Sequence, residues 1–158
     1  MIKSMTRKIV LTGMLAVVGF TGVAFGSGAQ ASAATAQSLE LLSYGKEYIG
    51  TPYKYGSPSG VTSAFDCSSF VQYVFQSKDI SLPRTSVSQA YVGDKIDKAY
   101  LSVGDLVFYR TGNSWISHVA IYAGDGKILH ASSTNGVTLS DMNTSYWKKA
   151  FVMARRVL

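Results

Sequence analysis

One residue in 158 is cysteine, Cys67, and two are histidine, His118 and His130. A single cysteine excludes an intrachain disulfide, so no covalent staple holds the fold. Charge is also sparse. Only 15% of residues are charged while 47% are hydrophobic, which excludes a disordered, solvated chain and leaves one that can bury a core. No internal repeats are present, and the length allows one domain of ordinary size. Acidic residues number 9 against 15 basic. Lys3, Arg7 and Lys8 supply three of those basic charges, and without them the net charge falls from +6 to +3. A balance of +3 suits an anionic surface and is too weak to point to nucleic acid.

What is present begins with those three basic residues. They precede an uncharged apolar run over residues 9–25, followed by Ala31-Ser32-Ala33. That order predicts a secretory signal peptide over residues 1–33, cleaved after about Ala33. The run contains Gly13, Gly19 and Gly22 and lies near the short end for a bilayer span, so no stable membrane span is expected after cleavage. The remainder, 34–158, is read as a single domain and a monomer. A lipidated cysteine would directly follow the apolar run, and Cys67 lies far beyond it. The thiol is therefore either inert and buried or functional.

Residues 36–49 read as a helix with Leu39, Leu42 and Ile49 on one face and Leu41, Tyr44 and Tyr48 nearby. Residues 51–63 are rich in Gly, Pro and Ser and read as a loop. A helix over 67–77 and a short one over 85–92 follow. From Gly104 the pattern turns to β-rich runs at 105–110, 117–123, 127–132, 136–140 and 151–157. Helices first and an antiparallel meander after them make an α+β fold.

Local pattern places Cys67 closely. Asp66 is a good N-cap, which makes Phe65 the N′ residue and Phe70 the N4 residue of a hydrophobic staple. Phe70, Val71, Val74 and Phe75 then form one apolar stripe, and Cys67 is the first helical residue. Unpaired N–H groups at a helix N-terminus stabilise a thiolate and can also hold an oxyanion. The charge of Asp66 works against part of this.

Both histidines fall in SHVAIYAGDGKILHAS, which reads as a β-hairpin. A two-residue loop at Asp125-Gly126 would turn them to opposite faces. A three-residue loop at 124–126 would put them on one face, with Val119, Ile121 and Leu129 together on the other. Side-chain burial favours the second register. A cysteine nucleophile needs a base, and the base needs a partner to orient its ring, so one Cys and two His can complete such a unit. One Cys and two His are also possible zinc ligands, but the close paired-ligand spacing of many zinc sites is missing. No metal or organic cofactor is expected.

The motifs YIGTPYKYG (48–56), FDCSSFVQYVF (65–75), LPRTSVSQ (82–89), VGDLVFY (103–109), SHVAIYAGDGKILHAS (117–132) and YWKKAFVMARRV (146–157) together resemble the NlpC-type peptidoglycan endopeptidases, papain-like cysteine peptidases of bacterial walls. The resemblance implies helices packed on an antiparallel sheet with the nucleophile at a helix N-terminus. It implies hydrolysis of peptidoglycan stem peptides, often between D-γ-glutamate and the following diamino acid. It makes Cys67 the nucleophile, His118 the general base and His130 the residue that orients it. Tyr55 would lie near the thiol and the oxyanion, and Asp66 and Ser68 would hold the free amine of the substrate's first amino acid. Two features depart from the family pattern: the linker YGSPSGVTSAFDC is loose, and Ser69 stands where a glycine is usual. The rival readings are an N-acetylmuramoyl-L-alanine-type amidase using the same Cys/His site, and a catalytically silent wall-binding module.

Overall fold

Helix α1 (Ala36–Lys46) begins at Thr35, whose side chain accepts from the Ser38 N–H while the Ser38 side chain accepts from the Thr35 N–H. This reciprocal pair satisfies two of the donors a helix start leaves free. The computed structural model describes residues 33–158. The signal peptide expected over residues 1–33 lies, apart from its last residue, outside the described residues. Helix α1 stops three residues short of the expected end, and 47–50 forms turns, with Gly50 at φ 92°. Its buried face is Leu41, Leu42 and Gly45, whereas Leu39 and Ile49 are about half exposed. The expected face was therefore rotated, because the chain leaves helical geometry before Ile49 can join it. A Cβ on Gly45 would sit 2.9 Å from Leu129 Cδ2, so the missing side chain is what lets α1 approach the sheet.

Helix α2 (Cys67–Gln76) lies under α1, with Phe70, Val71, Val74 and Phe75 buried. The expected staple is present: the Phe65 and Phe70 rings meet edge to face, 5.4 Å apart. A one-turn helix, α3 (Ser86–Gln89), follows. The strands are β1 (Asp94–Ile96), β2 (Leu106–Tyr109), β3 (His118–Gly124), β4 (Lys127–Ser132), β5 (Gly136–Asp141) and β6 (Phe151–Arg156), and α4 (Ser145–Ala150) separates the last two. They form one antiparallel sheet in the order β1-β6-β2-β3-β4-β5. The expected meander holds from β2 to β5. Strand β6 then returns to sit between β1 and β2, because α4 carries the chain back across the sheet.

Each face of the sheet is covered. Leu106, Phe108, Val119, Ile121, Leu129 and Val137 face the α1–α2 layer. Val107, Tyr109, Ala120 and Ile128 face the other way and pack with Trp147 and Ala150 of α4. Strand alternation alone assigns these two sets.

The β3–β4 hairpin resolves the register in an unexpected way. Its loop is the two-residue one: Gly124 pairs with Lys127, and Asp125 and Gly126 have φ of 50° and 68°, both positive as a type I′ turn requires. A register shift between Tyr122 and Gly124 follows at once, after which Tyr122 pairs with Ile128 and Ile121 with Leu129. Gly124, at φ 86°, accommodates the extra residue. The body of the hairpin thus has the register of the three-residue loop, and both histidines share the α4 face. Helices on an antiparallel sheet, with Cys67 opening a helix, make the α+β papain-like architecture expected.

Candidate active site

Cys67 starts α2 and is 8% exposed. Asp66 caps the helix. Its Oδ1 accepts from the Ser69 N–H at 2.8 Å, and the Ser69 hydroxyl accepts from the Asp66 N–H at 3.0 Å. Ser69 therefore closes a capping box and is almost fully buried without crowding the helix. The thiol lies against the backbone N–H groups of Val119, Ser68 and Cys67 itself. Val119 directly follows His118, the first residue of β3. The α2 start and the β3 start thus meet at one end of the sheet, although α2 and α4 cover opposite faces.

The two histidines are joined. His118 Nε2 lies 2.9 Å from His130 Nδ1, and the ring planes are close to perpendicular, at 89°. His130 Nε2 lies 2.9 Å from Ser140 Oγ on β5. His118 Nδ1 is the ring nitrogen that takes no part in this row of bonds. Trp147 of α4 covers the pair, its ring centre 5.5 Å from that of His118 and 5.2 Å from that of His130.

Burial governs the protonation of the site. It pushes the His118 pKa down to about 3, with the His130 charge adding to the effect, and it pushes His130 down to about 4. Burial also pushes the Cys67 thiol up. The Val119 N–H opposes this, the Asp66 charge adds to it, and the pKa ends above the ordinary thiol value. A helix N-terminus by itself predicts the reverse, and here burial outweighs it. The resting site is accordingly a neutral thiol beside neutral imidazoles.

Asp66 is crowded with donors. Its Oδ1 accepts from Ser69 N–H, from Ser68 Oγ at 3.3 Å and from Arg84 Nη1 at 3.2 Å. Its Oδ2 accepts from Gly56 N–H at 3.1 Å and from Arg84 Nη2. Burial pushes this carboxyl up, but Arg84 and the Ser69 N–H outweigh it and hold the pKa below the usual aspartate value. Arg84 also donates to Ser68 Oγ at 3.0 Å and to the Ser57 carbonyl. Gln89, fully buried, donates to the carbonyls of Ser68 at 3.0 Å and Pro83 at 2.8 Å. The segment 82–89 is therefore a clamp on the first turn of α2.

Two pockets adjoin here. One is lined by Cys67, Asp66, Ser68, Tyr55 and Arg84, the other by His118, His130, Ser140 and Trp147, and Tyr53 and Ser117 line both. The structure thus brings Cys67, Asp66, Ser68 and Tyr55 to one pocket and the histidine pair to its neighbour. Tyr55 is 89% exposed, at the rim. Tyr53 stands where the pockets join, half-buried. Burial raises its hydroxyl pKa to about 12, with the Cys67 and Asp66 charges contributing. Among the described residues, no group of three or more His, Cys, Asp or Glu is placed to hold a metal ion.

Sequence reasoning assigned no role to Tyr53, Arg84, Ser140 or Trp147. Arg84 and Tyr53 lie in motifs that were singled out, but nothing local shows what they touch. Trp147 had one local signal. Thr144 is a good N-cap, and its hydroxyl accepts from the Trp147 N–H.

A model of the NlpC/P60 family matches residues 50–156. The chain is 39% identical over 113 residues to the murein DD-endopeptidase MepS/murein LD-carboxypeptidase of Escherichia coli, covering 71% of this chain and 58% of that one. It is 43% identical over 122 residues to a gamma-DL-glutamyl hydrolase of Bacillus subtilis, covering 74% of this chain and 28% of that one. The crystal structure of an NlpC/P60 family protein from Bacillus cereus superposes with a TM-score of 0.71 at 33% identity, covering 77% of this chain and 40% of that one. The chain spans less than two thirds of each of these proteins.

Proposed function

The chain belongs to the NlpC/P60 family, and on that basis we propose that it is an exported cysteine endopeptidase of bacterial peptidoglycan stem peptides. The observation that carries this reading is the lone thiol at the start of α2, against the N–H of Val119, the residue that follows His118, whose Nε2 lies 2.9 Å from a second histidine. In this reading His118 Nδ1 takes the proton of the Cys67 thiol, and the thiolate attacks the amide carbonyl. Proton transfer inside the pocket forms the charged pair without bringing a net charge out of water, which suits a buried thiol and a buried imidazole. The developing oxyanion is held by N–H groups at the start of α2, and Tyr53, close to the thiol, is a second donor. His118 then protonates the leaving amine, and water hydrolyses the acyl-enzyme. His130 orients His118 and does not touch the thiol.

Tyr55, Asp66 and Ser68 line the pocket for the amino end of the stem peptide. Asp66 already accepts from five donors, so it acts there by holding Ser68 and Arg84 in place. The bond cut is the D-γ-glutamyl–diamino acid bond, a reading supported by likeness to the glutamyl hydrolase. Residues 34–158 form the secreted catalytic domain, a monomer released after the leader is removed.

Incubation of residues 34–158 with purified peptidoglycan, followed by mass spectrometry of the released fragments, tests this reading. Wild type should release peptides that begin with the diamino acid and leave stems ending in D-glutamate on the glycan, and Cys67→Ala should release none while staying folded. Iodoacetamide should inactivate the enzyme and a strong chelator should not. Fragments cut at the sugar–peptide link would replace the endopeptidase by an amidase. Wild-type turnover in Cys67→Ala would remove the nucleophile.

A further inference from the structure

Ser140 is the terminus of a hydrogen-bonded row that starts at His118. It lies on β5, on the same sheet face as His130 and diagonal to it, since His130 pairs with Thr138 and Ile128 with Ser140. Its hydroxyl is 2.9 Å from His130 Nε2. It is half-buried and lines the same pocket as both histidines.

The row can carry its protons in two orders, because a neutral imidazole has one N–H and one acceptor. In the first order His118 donates from Nε2 to His130 Nδ1, and His130 donates from Nε2 to Ser140. His118 Nδ1 is then an acceptor. In the second order Ser140 donates to His130 Nε2, His130 donates from Nδ1 to His118 Nε2, and the His118 proton sits on Nδ1. Only the first order leaves His118 able to take a proton at Nδ1. It is also the only order compatible with a cationic His118, whose Nε2–H must find an acceptor.

We infer that Ser140 is a positioning residue: by accepting the Nε2–H of His130 it keeps His130 Nδ1 an acceptor and so keeps the base nitrogen of His118 free. The freed Ser140 hydroxyl proton turns to solvent. This rests on the reading of His118 as the base. Burial of His130 strengthens the case, because an unanswered Nε2–H in that position would be costly, and the other tautomer would relieve it.

Ser140→Val and Ser140→Thr are nearly the same shape, and both suit a strand, but only threonine keeps a hydroxyl. Ser140→Val should lower kcat about 3- to 10-fold with KM unchanged, and Ser140→Thr should stay within about twofold of wild type. Nitrogen-15 NMR of the histidine rings reads the proton order directly. Wild type should carry the His130 proton on Nε2, and Ser140→Val should show a mixture with Nδ1–H. Equal losses of kcat in the valine and threonine variants would overturn the inference, as would a valine variant with wild-type tautomer and turnover. If wild type failed to hydrolyse peptidoglycan, the proposed function would fall, yet the NMR would still decide the proton order.

Discussion

Two imidazoles joined through nitrogens 2.9 Å apart do different work if one faces the thiol and the other faces its partner and Ser140. His118→Ala removes the proton acceptor and should cost about 10²- to 10⁴-fold in turnover, close to the loss in Cys67→Ala. His130→Ala leaves the base in place but unheld. It should cost about 10- to 100-fold, the value of a hydrogen bond to a charged partner. His130→Asn or His130→Gln should recover part of that loss, because an amide oxygen can still accept from the His118 ring. The double alanine variant should be little worse than His118→Ala, since residues acting as one unit are not additive. Steady-state kinetics on peptidoglycan fragments decides the order. A His130→Ala enzyme as inactive as His118→Ala would make the second histidine a direct participant.

The start of α2 is the element on which the site is built, and its stability comes from three local devices. These are the Phe65–Phe70 staple, the Asp66 cap and the return bond from Ser69. Ser69→Ala removes only the last and leaves the Asp66 N–H buried without its partner. It should lower stability by about 1–3 kcal/mol while leaving turnover within about twofold of wild type. Denaturant unfolding beside a turnover assay checks this. An unchanged midpoint would mean that the Ser69 hydroxyl adds nothing to the cap. The departure from the family's glycine is thus a capping residue. The staple and cap were legible because they act within five residues. The clamp of Arg84 and Gln89 on the same turn was not, since its partners are 16 to 21 residues away in sequence.

At the scale of the whole molecule, burial of the two histidines ties folding to pH. Both fold as neutral rings, with pKa values of about 3 and 4 against 6.5 unperturbed. Between about pH 6.5 and 4 the unfolded chain binds these protons and the folded chain does not. Stability therefore falls on acidification, by about 1.4 kcal/mol per pH unit for each histidine. Asp66, with its pKa held low, adds a further loss only below its usual value of 3.8. Urea unfolding at pH 7 and pH 5 should show the fall, and His118→Asn/His130→Gln should flatten it. An equally steep fall in that double variant would place the acid sensitivity elsewhere. The amino-acid sequence by itself determined the Cys67 helix start and the two-faced strands, and it favoured the histidines' common face. Capping, stapling and strand alternation depend on neighbours a few residues apart. Only the tertiary structure decided that β6 returns beside β2, that α4 lays Trp147 over the histidines and that Ser140 ends their row. It alone also turned the thiol from a group primed by its helix into one held neutral. A pKa depends on how much water every packed element removes, and that sum over distant residues is absent from any local stretch of chain.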